Sequence, residues 1–316
     1  MKTKKTFGEF ALISEIKKSF VKAGGRLKVA IGDDTAVFEE KKGRLLLSTS
    51  DMMVEGVHFT AAQNPFKVGQ KAIASNVSDI ASMGGTPLYG LVSAGFRKNV
   101  SRGYVNELLK GIKKEASKYN VGIIGGDTVS SQVNIINIAL LGEVTGKKYA
   151  LRSRAGEGDF ILVTGTLGNG AAALLAGDIY VPKIQISFAK EAVKAGIING
   201  MIDVSDGLSS ELHHLAEESK LGAFIDIKAI PLSALTEKIA AKKKKDAYTL
   251  ALNGGEDYEL LFTVAPKNLR KILKMGKGKT KLSVLGVMRE KKLGIKYSDF
   301  NGELKILPRR GYDHFA

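Results

Sequence analysis

The sequence predicts a two-domain α/β protein, on three observations. Apolar runs of strand length alternate with helical patterns through both halves of the 316 residues. A polar, basic, glycine-containing stretch from Thr145 to Asp159 separates two strand patterns and sets a boundary between 1–148 and 149–316. In each half, apolar runs end in acids beside glycines or other small residues.

Phe7 to Phe20, with Phe10, Ile13, Ile16 and Phe20 at helical spacing, reads as an amphipathic helix. KVAIGDDTAVFEE then places Asp33 and Asp34 on a turn between apolar segments. The Gly-Asp pair is enough for a turn, and adjacent carboxylates beside buried strands also suit a hard cation. Leu45 to Leu47 begin a strand whose end, Ser48, Thr49, Ser50 and Asp51, is all oxygen. That is either a ligand position at a strand end or a polar turn. His58, between Val57 and Phe59, has the setting of a packed residue.

KAIASNVSDIASMGG, Lys71 to Gly85, is the stretch around which the chain is organised. Between Ala72 and Met83 there is no Lys, Arg or Glu, and a helix that is small or apolar all round is normally buried. It still carries Asn76 and Asp79, three apart and on one face. A buried carboxylate is costly unless something positive meets it. Asp79 is therefore a salt-bridge partner, a cap or a metal ligand, and the other acid-terminated runs favour the ligand.

Leu88 to Ala94 reads as a strand, and Tyr104 to Tyr119 as a helix with Val105, Leu108, Leu109, Ile112 and Ala116 on one face. VGIIGGDTVSS is a short strand running into Gly-Gly-Asp, where glycines allow a backbone to approach a ligand and Asp127 closes the run. Val133 to Val144 is a long strand pattern. The second half opens with FILVTGTLGNGAAALLAG. Its glycines at 165, 168 and 170 suit a phosphate-cradling loop or tight strand–helix packing, and match neither standard nucleotide fingerprint. In MIDVSDGLSSELHHLAEESKLG, Asp203, Ser205 and Asp206 end a strand before a helix bearing Leu208, Leu212 and Leu215. Ser205 or Asp206 could cap that helix, but a cap does not require Asp203. ALNGGEDYELLFTV puts Gly-Gly-Glu-Asp in front of a strand, echoing Gly125-Gly126-Asp127, and the chain closes with RRGYDHFA.

Composition narrows the function classes. A content of 44% hydrophobic and 25% charged residues is that of a soluble globular protein. No apolar run is long enough to span a bilayer, and MKTKKTFGEF lacks the apolar core of a signal peptide. The absence of Cys excludes disulfides, thiolate metal sites and cysteine nucleophiles, and fits a cytoplasmic protein. The four His, at 58, 213, 214 and 314, show no zinc-ligand spacing. A net charge of +16 raises nucleic acid as a partner. Yet the Lys residues cluster at 242–245 and across 267–281, where exposed helix faces and tethers belong, with no nucleic-acid-binding signature. Asp33, Asp34, Asp51, Asp79, Asp127, Asp203 and Asp206 are more carboxylates than one structural ion needs. Several oxygen-ligated divalent ions are expected where a polyphosphate is handled, which points to magnesium and a nucleotide.

IGDDTA, TSDMMVEGVHF, KAIASNVSDIASMGG, IIGGDT, VTGT, IDVSDGL, NGGEDYELLFTV and GYDHF, in this order from Gly8 to Phe315, closely resemble the thiamine-monophosphate kinase family of the aminoimidazole-ribonucleotide-synthetase-like superfamily. The resemblance implies two α/β domains with mixed sheets. The N-terminal one would bind metal and ATP and pair with a second copy across a homodimer. It implies ATP-dependent phosphorylation of thiamine monophosphate to thiamine diphosphate with several Mg2+ ions, no nucleic acid and no membrane. Carried onto this sequence, the metal ligands are Asp34, Thr49, Ser50, Asp51, Asp79, Asp127, Asp203 and Asp206, with Asp79 and Asp127 most critical. ATP contacts fall on Gly126, Asp127, Arg152 and Ser205, and substrate contacts on His58, Glu256 and Tyr312. LRSRAGEGD offers both Arg152 and Arg154, and spacing back from Gly158-Asp159 selects Arg152. Tyr312 or Phe315 could present a ring face to the thiazolium cation. Selenophosphate synthetases and hydrogenase-maturation relatives depend on a Cys this chain lacks. A nucleic-acid-binding protein, the rival from another class, would bind with a steep salt dependence and no nucleotide turnover.

Overall fold

A computed structural model describes residues 9–20, 22–40, 44–144, 146 and 148–312. Phe7, the basic N-terminus, Thr145, His314 and Phe315, and with them most of the GYDHF motif, lie outside the described residues. Helix α1 (Glu9–Ser19) is followed by strands β1 (Leu27–Val29), β2 (Ala36–Glu39) and β3 (Leu45–Val54). Helix α2 (Pro65–Ser82), strand β4 (Thr86–Arg97), helix α3 (Arg102–Lys118), and strands β5 (Gly122–Ser131) and β6 (Ile135–Val144) complete the first half. Its sheet runs β1-β2-β3-β6-β4-β5. Only the β4–β5 pair is parallel, so the sheet is mixed.

The α2 stretch is buried almost throughout, as its composition demands. Asn64 starts it by accepting the Phe66 N–H at 2.9 Å, with Pro65 in the first turn. It packs on α3, which Ser101 caps by accepting the Tyr104 N–H at 3.1 Å. The helices touch backbone to backbone: a Cβ on Gly69 would lie 2.2 Å from the Leu108 carbonyl oxygen, and one on Gly111 2.0 Å from that of Phe66. Ile73, Val77 and Ile80 of α2 join Leu47, Ile136, Ile138 and Leu140 of the sheet in one core. Tyr89 and Leu91 of β4 and Ile124 and Val129 of the edge strand β5 are exposed.

The second half contains β7 (Phe160–Thr164), α4 (Asn169–Leu175), α5 (Ile186–Lys194), β8 (Ile198–Asp203), α6 (Leu208–Glu218) and β9 (Leu221–Asp226). Then come α7 (Ala234–Lys243), α8 (Ala247–Asn253), β10 (Leu260–Val264), α9 (Leu269–Gly276), β11 (Leu282–Glu290), β12 (Ile295–Ser298) and β13 (Leu304–Ile306). The sheet order is β13-β12-β9-β11-β7-β10-β8, with only β9–β12 parallel. Strand alternation divides its apolar residues between two faces. Ile161, Val163 and Ile202 meet Leu208, Leu212 and Leu215 of α6, while Leu162, Met201 and Phe262 meet Phe188 and Ala192 of α5 and Ile272 of α9.

The segment between α4 and α5 leaves the second half and docks on the first. Ile179 and Ile184 are buried in the core beneath α2 and α3. Asp178 takes an ion pair from Lys67 at 2.6 Å, and the Ile184 N–H donates to Tyr119 Oη at 2.9 Å.

Three elements differ from the sequence reading. The Ser48–Asp51 run continues a strand rather than ending one, because β6 pairs with β3 through Val54. Its other neighbour, β2, stops at the Ala36–Ser48 pair, so one edge of β3 is open from Thr49 onward. Gly-Gly-Asp at 125–127 lies inside β5, held by parallel pairing to β4. The predicted apolar stripe of α1 is only partly covered, since Leu12, Ile13 and Ile16 are each more than a third exposed. Among the described residues no helix is long and apolar enough to cross a membrane.

Candidate active site between the two halves

A cavity of about 1190 Å³ lies between the halves. The β1–β2 turn brings Asp33 and Asp34 to it, the open edge of β3 brings Thr49, Ser50 and Asp51, and α2 brings Lys71, Ser75 and Asp79. From the second half, the end of β8 and the turn into α6 contribute Asp203, Ser205 and Asp206, and the turn before β10 contributes Glu256 and Tyr258. His58, Arg152 and Tyr312 also line it. Among the described residues, every site residue expected from the sequence is thus gathered here except Gly126 and Asp127. The ladder Asp51–Ile138–Val92–Gly126 crosses three strand spacings, which is about 14 Å at roughly 4.8 Å each. That distance keeps Gly126 and Asp127, on the edge strand β5, away from this chain's own cavity.

The carboxylates hold one another under electrostatic stress. Burial, and then the neighbouring Asp34, push Asp33 up to about 7 and Asp203 up to about 8. Burial, followed by Asp51 and Asp203, drives Asp79 well above the ordinary carboxylate range, and burial raises Asp51. Neutral hydrogen-bond partners hold three of these residues in place. Thr49 Oγ1 donates to Asp79 Oδ2 at 2.5 Å, Ser78 Oγ to Asp203 Oδ2 at 2.6 Å, and the Asp51 N–H to Asn76 Oδ1 at 3.1 Å. The Ser50 hydroxyl, also in the cavity wall, donates to Asn137 Oδ1 on β6 at 3.1 Å.

This oxygen set fits a hard divalent cation. One atom shows the fit directly: Asp34 Oδ2 is buried with no hydrogen-bond partner, which is costly for a carboxylate oxygen. Among the described residues no three acid or imidazole side chains already converge as a metal cage. Arg152 pairs with the other Asp34 oxygen and stands 4.0 Å from Asp33. Of the two candidate arginines only Arg152 reaches the cavity; Arg154 donates to the Tyr149 carbonyl at 2.6 Å and lies over the Tyr149 ring.

The structure decides two local alternatives that the sequence leaves open. Neither Ser205 nor Asp206 caps α6 with its side chain; Glu211, inside the helix, accepts the Asp206 N–H at 3.0 Å and the Ser205 hydroxyl at 3.3 Å. The glycine loop at 165–170 cradles a carboxylate of the chain itself: Asp257 accepts the N–H groups of Gly168 at 2.7 Å and Gly170 at 3.1 Å. The turn that carries Asp257 is tightly fitted. Glu256 and Tyr258 both adopt positive φ, +70° and +53°, a costly conformation for residues with side chains. A Cβ on Gly255 would lie 2.3 Å from the Ser205 carbonyl oxygen. His58 Nδ1 accepts the Val54 N–H at 3.0 Å, which leaves Nε2 to carry the proton of the neutral ring.

Lys71 is the charged α2 residue of the cavity that sequence reasoning missed. It is 2% exposed and forms an ion pair with Glu256 across the two halves. Its signal was the spacing, since Lys71, Ser75 and Asp79 recur every four residues on one helix face.

The AIR synthase related protein N-terminal domain matches residues 32–144, and the AIR synthase related protein C-terminal domain matches residues 156–298. The thiamine-monophosphate kinase of Buchnera aphidicola subsp. Schizaphis graminum is 33% identical, covering 98% of this chain and 99% of the relative. That of Aquifex aeolicus is 36% identical over 82% and 86% of the two chains. A solved structure, AaThiL complexed with AMPPCP and TMP, superimposes with a TM-score of 0.83 at 32% identity, over 98% of this chain and 97% of that one.

Proposed function

The chain belongs to the thiamine-monophosphate kinase family of AIR-synthase-related proteins, and from that premise we propose that it transfers the γ-phosphoryl group of ATP to thiamine monophosphate, giving thiamine diphosphate and ADP. The observation that carries this reading is the cavity between the halves, where acids from both converge beside Arg152 and Lys71. It is supported by the thiamine-monophosphate kinase relatives and by the related structure with AMPPCP and TMP.

The nucleophile is a phosphate oxygen of thiamine monophosphate. It is already largely ionised near neutral pH, because a phosphate monoester's second pKa is about 6. No side chain has to remove a proton. The new P–O bond forms in line as the bond to the β-phosphate oxygen breaks, and ADP leaves with that electron pair. The difficulty is the approach of two anions. Asp34, Thr49, Ser50, Asp51, Asp79, Asp203 and Asp206 would hold Mg2+, which when bound supplies charge neutralisation and alignment of the phosphates. Arg152 and Ser205 contact ATP, with Arg152 adding fixed positive charge. His58, Glu256 and Tyr312 contact thiamine monophosphate, with the Tyr312 ring against the thiazolium cation.

Division at 148/149 and pairing of the N-terminal sheets of two copies belong to the same proposal. The exposed Tyr89, Leu91, Ile124 and Val129 give that pairing an apolar face. It would bring Gly126 and Asp127, too far from this chain's own acids, to the site of the partner copy. The reading also places the protein in the cytoplasm, with no nucleic acid or membrane as partner.

The test is to incubate the chain with ATP, Mg2+ and thiamine monophosphate and to follow thiamine diphosphate by chromatography. Product that vanishes with EDTA is expected. ADP formation without thiamine diphosphate would overturn the substrate assignment.

A further inference from the structure

We propose that Lys71 reads the aminopyrimidine of thiamine monophosphate together with Glu256, the ammonium donating to a ring nitrogen while the carboxylate accepts from the exocyclic amino group. This rests on the kinase reading above and assigns Lys71 a substrate-specificity role within it. Lys71 and Glu256 are joined in the cavity wall, one from α2 and the other from the turn before β10. Their chemistry is complementary: an ammonium only donates and an ionised carboxylate only accepts. Side by side they match an edge that offers an acceptor next to a donor, and an aminopyrimidine has that edge. The Glu256 backbone is anchored at this point of the wall. Its N–H donates to the Ser205 carbonyl at 2.6 Å, and its backbone is fixed at positive φ beside the closely packed Gly255.

The distance along α2 also suits the substrate. Lys71 and Asp79 are eight residues apart on one face, about 12 Å at 1.5 Å per residue. With the phosphate at the Asp79 end, the two-ring body of thiamine monophosphate extends toward Lys71. A bridge that merely joined the halves would not need to line the cavity, and Lys71 and Glu256 both do.

The experiment compares wild type, K71M and K71R on thiamine monophosphate and on oxythiamine monophosphate, in which the amino group is replaced by an oxo group and the donor–acceptor order is reversed. Wild type is expected to favour thiamine monophosphate by at least about 100-fold in kcat/KM. K71M is expected to raise KM for thiamine monophosphate by at least about tenfold, to leave KM for ATP unchanged, and to lose most of the discrimination. K71R, which keeps a donor, recovers part of both. The unchanged KM for ATP shows that K71M is folded. An unchanged preference in K71M, or equal rises in both KM values with a lowered Tm, would overturn the proposal and leave Lys71 a structural bridge. Wild-type preference can be measured whether or not the variants fold, and its absence would also overturn it. If wild type makes no thiamine diphosphate from thiamine monophosphate, it is the kinase reading itself that fails, and this inference falls with it.

Discussion

Asp79 sits where burial and three other carboxylates, Asp51, Asp203 and Asp34, oppose its charge, and the Thr49 hydroxyl donates to it. An isolated group so placed would be a defect, and a cation resolves it. D79N is therefore expected to lower kcat/KM by at least about 100-fold, since such a site supplies several kcal/mol of transition-state stabilisation. It should also abolish the Mg2+-dependent rise in Tm, which calorimetry without substrate reads separately. Glu259 offers a test away from the proposed ligands. It accepts the Thr164 hydroxyl, and burial pushes it up to about 7 from an ordinary 4.5. Its contribution to stability is then complete below about 4.5 and lost as pH climbs through about 7. E259Q keeps an acceptor for Thr164 and cannot ionise. Its Tm relative to wild type should rise between about pH 5 and about pH 8. The acids of the site were legible because an acid at the end of an apolar run is conspicuous. Lys71 was not, because a single Lys at the head of an uncharged run reads as a solvated residue, and its partner on the other half shows why it is buried.

The α2–α3 crossing depends on Gly69 and Gly111, where each helix meets a carbonyl of the other. G69A would press a methyl group against the Leu108 carbonyl. A cost of about 1–3 kcal/mol is expected from such overpacking, read as a lower denaturant midpoint with an unchanged m-value. The pattern of α2 showed in the sequence that the helix was buried, but not what covered it. Helical and strand periodicities also placed α3, β6 and β8 well. They failed at β3 and β5, where polar or glycine-rich residues continue a strand because neighbouring backbones supply the pairing. At the loop before α4 the glycines left phosphate cradling and tight packing both open, and the group they cradle is Asp257, remote in sequence.

Two α/β halves were legible from the repeated strand–helix alternation, but the 178–186 crossing was not. VPKIQ has no pattern that says which core it serves. Ile184 is buried against the first half while belonging to the second by position. I184A should therefore cost about 2–5 kcal/mol, as a cavity under α2 and α3, measured as loss of Tm. Because the cavity lies between halves tied by this crossing, by Lys71–Glu256 and by Ser78–Asp203, the same variant should raise KM for both substrates. The crossing also has a consequence during synthesis. The first half can close its apolar interior only after Ile184 has emerged from the ribosome, well beyond the last strand of its own sheet. A nascent chain stalled near residue 148 would expose the apolar groove that Ile179 and Ile184 fill in the finished protein.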